Sequence, residues 1–176
     1  MAVGTADLQE SIVNAWTAAG LDAKFTGLWD HSDLTLWDEE GNPLSPVLQE
    51  PPASPKQPFP YCIMETEKLR PLTRMTGRSS LPGTKQHNNE VSVTFSVHAK
   101  TVKGDVRSSK QIAAYLVEEV MAVFGGHPTR APSQLSLSNG GVLLRQYQGD
   151  FPVQEELYEY KWCVQYRFLV DVPVMV

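Results

Sequence analysis

The sequence predicts an α+β fold: a mixed, mainly antiparallel sheet with helices packed on one face. Three stretches carry that expectation. Between Glu90 and Gly126, Val91, Val93, Phe95, Val97 and Ala99 alternate with Ser92, Thr94, Ser96 and His98. A period of two marks a strand with one buried and one wetter face, and a helical pattern follows it directly. Later, Tyr158, Tyr160, Trp162, Val164, Tyr166, Phe168, Val170 and Val172 take every second position, with Glu159, Lys161, Gln165, Arg167 and Asp171 between them. So long a strand belongs inside the sheet, beside the strand at Val91 to Ala99. Finally, Leu8, Ile12, Ala15, Trp16 and Ala19 form an apolar stripe at helical spacing.

Taken in order, the chain begins with that short amphipathic helix, with Thr5 as its cap and Gly20 as its stop. The segment Asp22 to Trp29 is expected to be a strand, and Leu34, Leu36 and Trp37 a second one ending in the turn Glu39 to Pro43. From Leu44 to Pro60, prolines stand at 43, 46, 51, 52, 55, 58 and 60 around and within the segment. Proline donates no ladder hydrogen bond, so an extended surface arm is expected there. Tyr61 to Met64 is a short apolar strand. Thr66 to Asn89 has little periodicity and carries Lys68, Arg70, Arg74, Arg78 and Lys85, with Pro71, Gly77, Pro82 and Gly83 as punctuation. It reads as a long basic loop between two neighbouring strands, with a solvated insertion as the plain alternative.

Lys103, Gly104 and Asp105 then make a polar turn, and Ser108 precedes Gln111 by three residues, the spacing of a capping box. Ile112, Leu116, Val120, Val123 and Phe124 continue as a helical stripe, stopped by Gly125, Gly126 and Pro128. Gln134 to Leu137 and Val142 to Tyr147 flank Ser138, Asn139, Gly140 and Gly141, a hairpin signal. The closing strand is expected to end at Pro173.

With 176 residues and 41% hydrophobic content, the chain can bury one sizeable core. Its net charge of -5 argues against a surface that is basic throughout and made for nucleic acid or anionic membrane. No apolar run approaches the roughly 20 residues of a membrane helix, and the first residues lack a signal-peptide pattern. A soluble protein made in a cytoplasm is expected, with no membrane partner. Cys62 and Cys163 sit alone in strand-like runs and read as buried free thiols.

Catalytic patterns are missing. Asp30, His31 and Asp33 are the tightest cluster of metal-competent side chains, but a surface turn explains them, and no histidine stands at HExxH spacing. Neither GxSxG nor a phosphate loop occurs. Glu155, Glu156 and Glu159 read as a solvated edge, and His98 as a hydrogen-bonded interface residue. The expectation is a non-enzyme without cofactor or metal.

What remains describes a subunit made to be tiled. The order of elements resembles that of the tail terminator or tail completion proteins of long-tailed bacteriophages and related particles. The likeness rests on the helix Leu8 to Ala19, Pro60 and Tyr61 leading into an apolar strand, the strand Val91 to Ala99 running into the helix Ile112 to Phe124, and the closing strand Tyr158 to Val172. That resemblance implies a ring, commonly of about six copies, that caps the tail tube in the virion and presents a surface to the head connector. It implies as partners a second copy of the chain in a homohexamer, the tail tube protein, the head-tail connector and DNA in the channel. The loop Lys68 to Lys85 would reach the tube rim or that DNA, and the region Asp30 to Pro60 would be an insertion. Phe59, Tyr61, His98, Glu155, Glu156 and Glu159 are the candidate interface residues. The alternatives are a head completion or connector protein, and a small nucleic-acid-binding module using the basic loop.

Overall fold

A computed structural model of the chain describes residues 5–29, 41–52, 57–67, 70–78, 84–137, 141–154 and 159–175. Helix α1 (Thr5–Ala18) ends at Gly20, whose φ of 69° lets the chain reverse into a second helix, α2 (Leu21–Thr26). The strand expected at Asp22 to Trp29 is therefore helix as far as Thr26 and turn from Gly27 to Trp29. Leu21 and Phe25 stand one turn apart and are both buried, and Trp16 Nε1 donates to Asp22 Oδ1 at 2.8 Å, tying the two helices together. The expected strand at Leu34 to Trp37 lies outside the described residues.

The proline-rich arm is only partly a surface element. Pro46, Pro58 and Pro60 are buried, and β1 (Val47–Leu48) pairs in parallel with Cys62 and Ile63 of β2 (Tyr61–Thr66). Proline fits such an edge, where one side of the backbone goes unpaired. Hydrogen bonds fasten the region, among them Cys62 N–H to Pro46 O at 2.7 Å, Trp29 Nε1 to Pro60 O at 2.9 Å and Gln57 Nε2 to Ser45 O at 3.1 Å.

The expected basic loop is instead largely strand, built into the sheet. Strand β3 (Arg70–Arg78) pairs antiparallel with the first half of β4 (Thr84–Lys100), with a register shift between Pro71 and Thr76. The stretch lacks apolar alternation because backbone ladders, unlike core faces, place no demand on side-chain polarity. The second half of β4 holds the expected Val91 to Ala99 and pairs with β2.

Helix α3 (Ser109–Phe124) follows as expected. Ser108 caps it: its Oγ accepts from Gln111 N–H while Gln111 Oε1 accepts from Ser108 N–H. Residues 131–137 are irregular, so Gln134 to Leu137 is no strand; Ser133 N–H donates to Val123 O at 2.8 Å, and the segment folds back on the end of α3. The last two strands are β5 (Gly141–Gln154) and β6 (Glu159–Met175). Pro173 does not end β6 but pairs with Gln86, beyond the last β5 partner at Asp171, where one side of β6 carries no strand among the described residues.

The six strands run in the order β1-β2-β4-β6-β5, with β3 beside β4. All pairs except β1 with β2 are antiparallel. On one face, Phe95 stacks against Phe124 of α3 at 4.8 Å and lies 6.2 Å from Trp16 of α1, with Tyr166 edge-on at 5.9 Å. This is the core. Val91, Val93, Val97, Ala99, Val164, Phe168 and Val170 fill the same face beneath the helices.

Candidate functional site

Alternation puts the even-numbered residues of β4 on the face away from the helices. Register then decides who meets whom. Tyr61 lies opposite His98, and Lys100 lies opposite Glu159, the first residue of β6. The His98 and Tyr61 rings stack at 4.8 Å with 7° between their planes, and Phe59 tilts against Tyr61 at 4.9 Å. Lys100 Nζ stands 4.3 Å over the Phe59 ring and also pairs with Glu159. A cation over an aromatic face at a partly exposed position contributes about 0.5–1 kcal/mol. The sequence placed His98 on a wetter face, yet it is only 9% exposed, because the Tyr61 ring covers it.

Farther along the same face, Ser96 Oγ and Cys163 Sγ meet at 3.4 Å. Cys62, from β2, is wholly buried, and that burial pushes its thiol far up. Such a group stays protonated and is no nucleophile at neutral pH.

Strand β5 forms the sheet's long edge. Its second half carries Phe151 and Val153, 42% and 38% exposed, across from Cys163 and Lys161. A register shift between Tyr147 and Gly149 precedes them. Asp150 accepts from the Tyr147 hydroxyl and from Trp162 Nε1 at 2.8 Å. Partial burial, then the hydrogen bond and the charge of Asp150, push the Tyr147 phenol up to about 12. Tyr147 also leans on the backbone: a Cβ on Gly126, at φ 92°, would stand 2.9 Å from its ring.

Of the residues named from sequence, four are brought together: Phe59, Tyr61, His98 and Glu159. Glu155, Glu156 and Lys68 lie outside the described residues, as do Asp30, His31 and Asp33. Arg70 opens β3 opposite Glu90, Arg74 falls where the register shifts, and Arg78 stands opposite Lys85 in the ladder. These cations belong to a strand pair and not to a loop. Glu90 in turn accepts from Arg167 of β6. Four contributors carried no recognised signal in the sequence. Lys100 ends the alternating run of β4, Phe151 and Val153 follow Gly149 and flank Pro152, and Arg145 interrupts an apolar run. Only the alternation of Phe151 and Val153 was a usable signal.

Among the described residues no group of three or more His, Cys, Asp or Glu side chains is placed to hold a metal ion. No described helix is long and apolar enough to cross a membrane. No protein-family model matches this chain, and no curated protein matches it in sequence.

Proposed function

We propose that this chain is a structural subunit of a ring that caps the tail tube of a long-tailed bacteriophage or phage-like particle, ends tail polymerisation and offers the surface for head joining. The observation that supports this reading is the asymmetry of the sheet. One edge is the 14-residue strand β5 with two exposed apolar side chains, and the other is divided between the two-residue β1, laid over part of β2, and the nine-residue β3 beside the first half of β4. Closed rings need two unlike surfaces on each subunit, one to meet the other on the next copy. Phe151 and Val153 supply the apolar contact, since exposed ion pairs contribute only about 0–1 kcal/mol each. The number of copies, about six, follows from the resemblance in element order.

Molar mass by light scattering across a concentration series, with negative-stain images and with or without tail tube protein, tests the reading. A ring is expected, either alone or once tube protein is added. The double substitution Phe151→Asp with Val153→Asp is expected to return the mass to that of a monomer while leaving the melting temperature within a few degrees. A chain that stays monomeric in both settings would sink the proposal, and salt-sensitive DNA binding by that monomer would favour the nucleic-acid-binding alternative.

A further inference from the structure

A cleft of about 440 Å³ opens between residues 132–135 and β5, on the helix-bearing face. Its walls are Pro132, Gln134, Leu135, Val142 and Arg145. The fold places it there because the chain leaving α3 turns back through the bond from Ser133 to Val123, while Leu135 packs on the core. The volume lies in the range of small-molecule sites.

Arg145 is the one charged residue of that lining among the described residues. Its Nη1 is buried and has no hydrogen-bond partner among the described residues. Burial depresses the guanidinium pKa, yet an arginine starts so high that it keeps its charge. The described neighbours do not supply the missing acceptor. Asp150, the acid farther along β5, is engaged by Tyr147 and Trp162. The Tyr166 hydroxyl donates to Gly125 O at 2.7 Å. A buried cationic donor without an acceptor is costly, and a carboxylate matches its planar fork. The other walls favour something more: Pro132, Leu135 and Val142 are apolar, and Gln134 can bond a second polar atom.

We propose that this cleft binds a single carboxylate carried on a small apolar body, with Arg145 holding the carboxylate and Leu135, Val142 and Pro132 enclosing the body. A phosphate dianion fits less well, because one cation against apolar walls leaves much of its charge unmet. Nothing in this inference depends on ring formation, so the two readings stand or fall separately.

The test is titration of the isotopically labelled full chain, followed by amide NMR, with hexanoate, with N-acetyl-leucine and with uncharged hexanamide. Saturable shifts centred on Gln134, Leu135, Val142 and Arg145 are expected for the two acids, with affinity falling about tenfold or more for hexanamide and in Arg145→Gln. Arg145→Lys, which keeps the charge without the fork, is expected to lie between. Tighter binding of N-acetyl-leucine would identify a polypeptide terminus as the source of the carboxylate, and tighter binding of hexanoate a free acid. Equal shifts with hexanamide, equal affinity in a folded Arg145→Gln, or no saturation by about 50 mM would overturn the proposal. Should Arg145→Gln not fold, the hexanamide and Arg145→Lys arms still decide it.

Discussion

The two faces of the sheet are built on different physics although the same strands make both. Around Phe95, aromatic and aliphatic side chains from α1, α3, β4 and β6 close on one another, and directionality hardly matters. Three residues along β4, around His98, the contacts are a stacked imidazole, a lysine over a ring and an ion pair with Glu159, each dependent on geometry or charge. One face holds the fold together. The other depends on specific geometry and charge more than on apolar volume.

That contrast is open to measurement. Phe95→Ala removes a wholly buried ring touched by Trp16, Phe124 and Tyr166, and a loss of about 3–5 kcal/mol in denaturant unfolding is expected. If Tyr61→Ala on the opposite face cost as much, the contrast would collapse. The helix-bearing face further depends on α3 keeping its first turn. Ser108→Ala deletes the hydroxyl of the capping box, and a loss of about 1 kcal/mol is expected, with unfolding still cooperative. Smallest of all should be Lys100→Met, at about 1 kcal/mol or less. Lys100 is 42% exposed in its side chain, so its pairing with Glu159 is screened, and any loss on substitution should shrink as salt is raised. A large, salt-independent loss there would show that the far face carries core-like energy after all.

The division between the faces also decides what the sequence disclosed. The alternation of Val91 to Ala99, the stripe of Ile112 to Phe124, the Ser108 and Gln111 box and the long run through Val164, Tyr166 and Phe168 all answer to the apolar face, and each was legible before the fold was seen. Where backbone pairing or context decides, the pattern was silent. Thr84 to Asn89 is polar throughout and still forms strand, because β3 and β6 pair with it from both sides. Leu21 and Phe25 fit either a strand or a helical turn, and packing on Trp16 and the core selects the helix. Gln134 to Leu137 has strand-like alternation, but β6 already pairs with β5, and the segment is drawn to α3 instead. The cluster of Phe59, Tyr61, His98 and Glu159 was named residue by residue, yet only the register of β2, β4 and β6 makes them neighbours. Arg145 was invisible because a lone cation in a strand signals nothing until the cleft beside it is known.

The central pairing of β4 with β6 has a consequence for how the molecule comes into being. Lys100 meets Glu159 and Thr84 meets Met175, so the ladder joins segments with a whole helix and another strand between them in the chain. Closing so long a span before any contact rewards it raises the contact order, and slow folding, governed by chain topology more than by stability, is the result. During synthesis one edge of β4 stays bare until residues 159–175 have been made. A nascent chain halted short of that point exposes a ready template for intermolecular pairing, which makes truncation products of this protein the species most prone to aggregate.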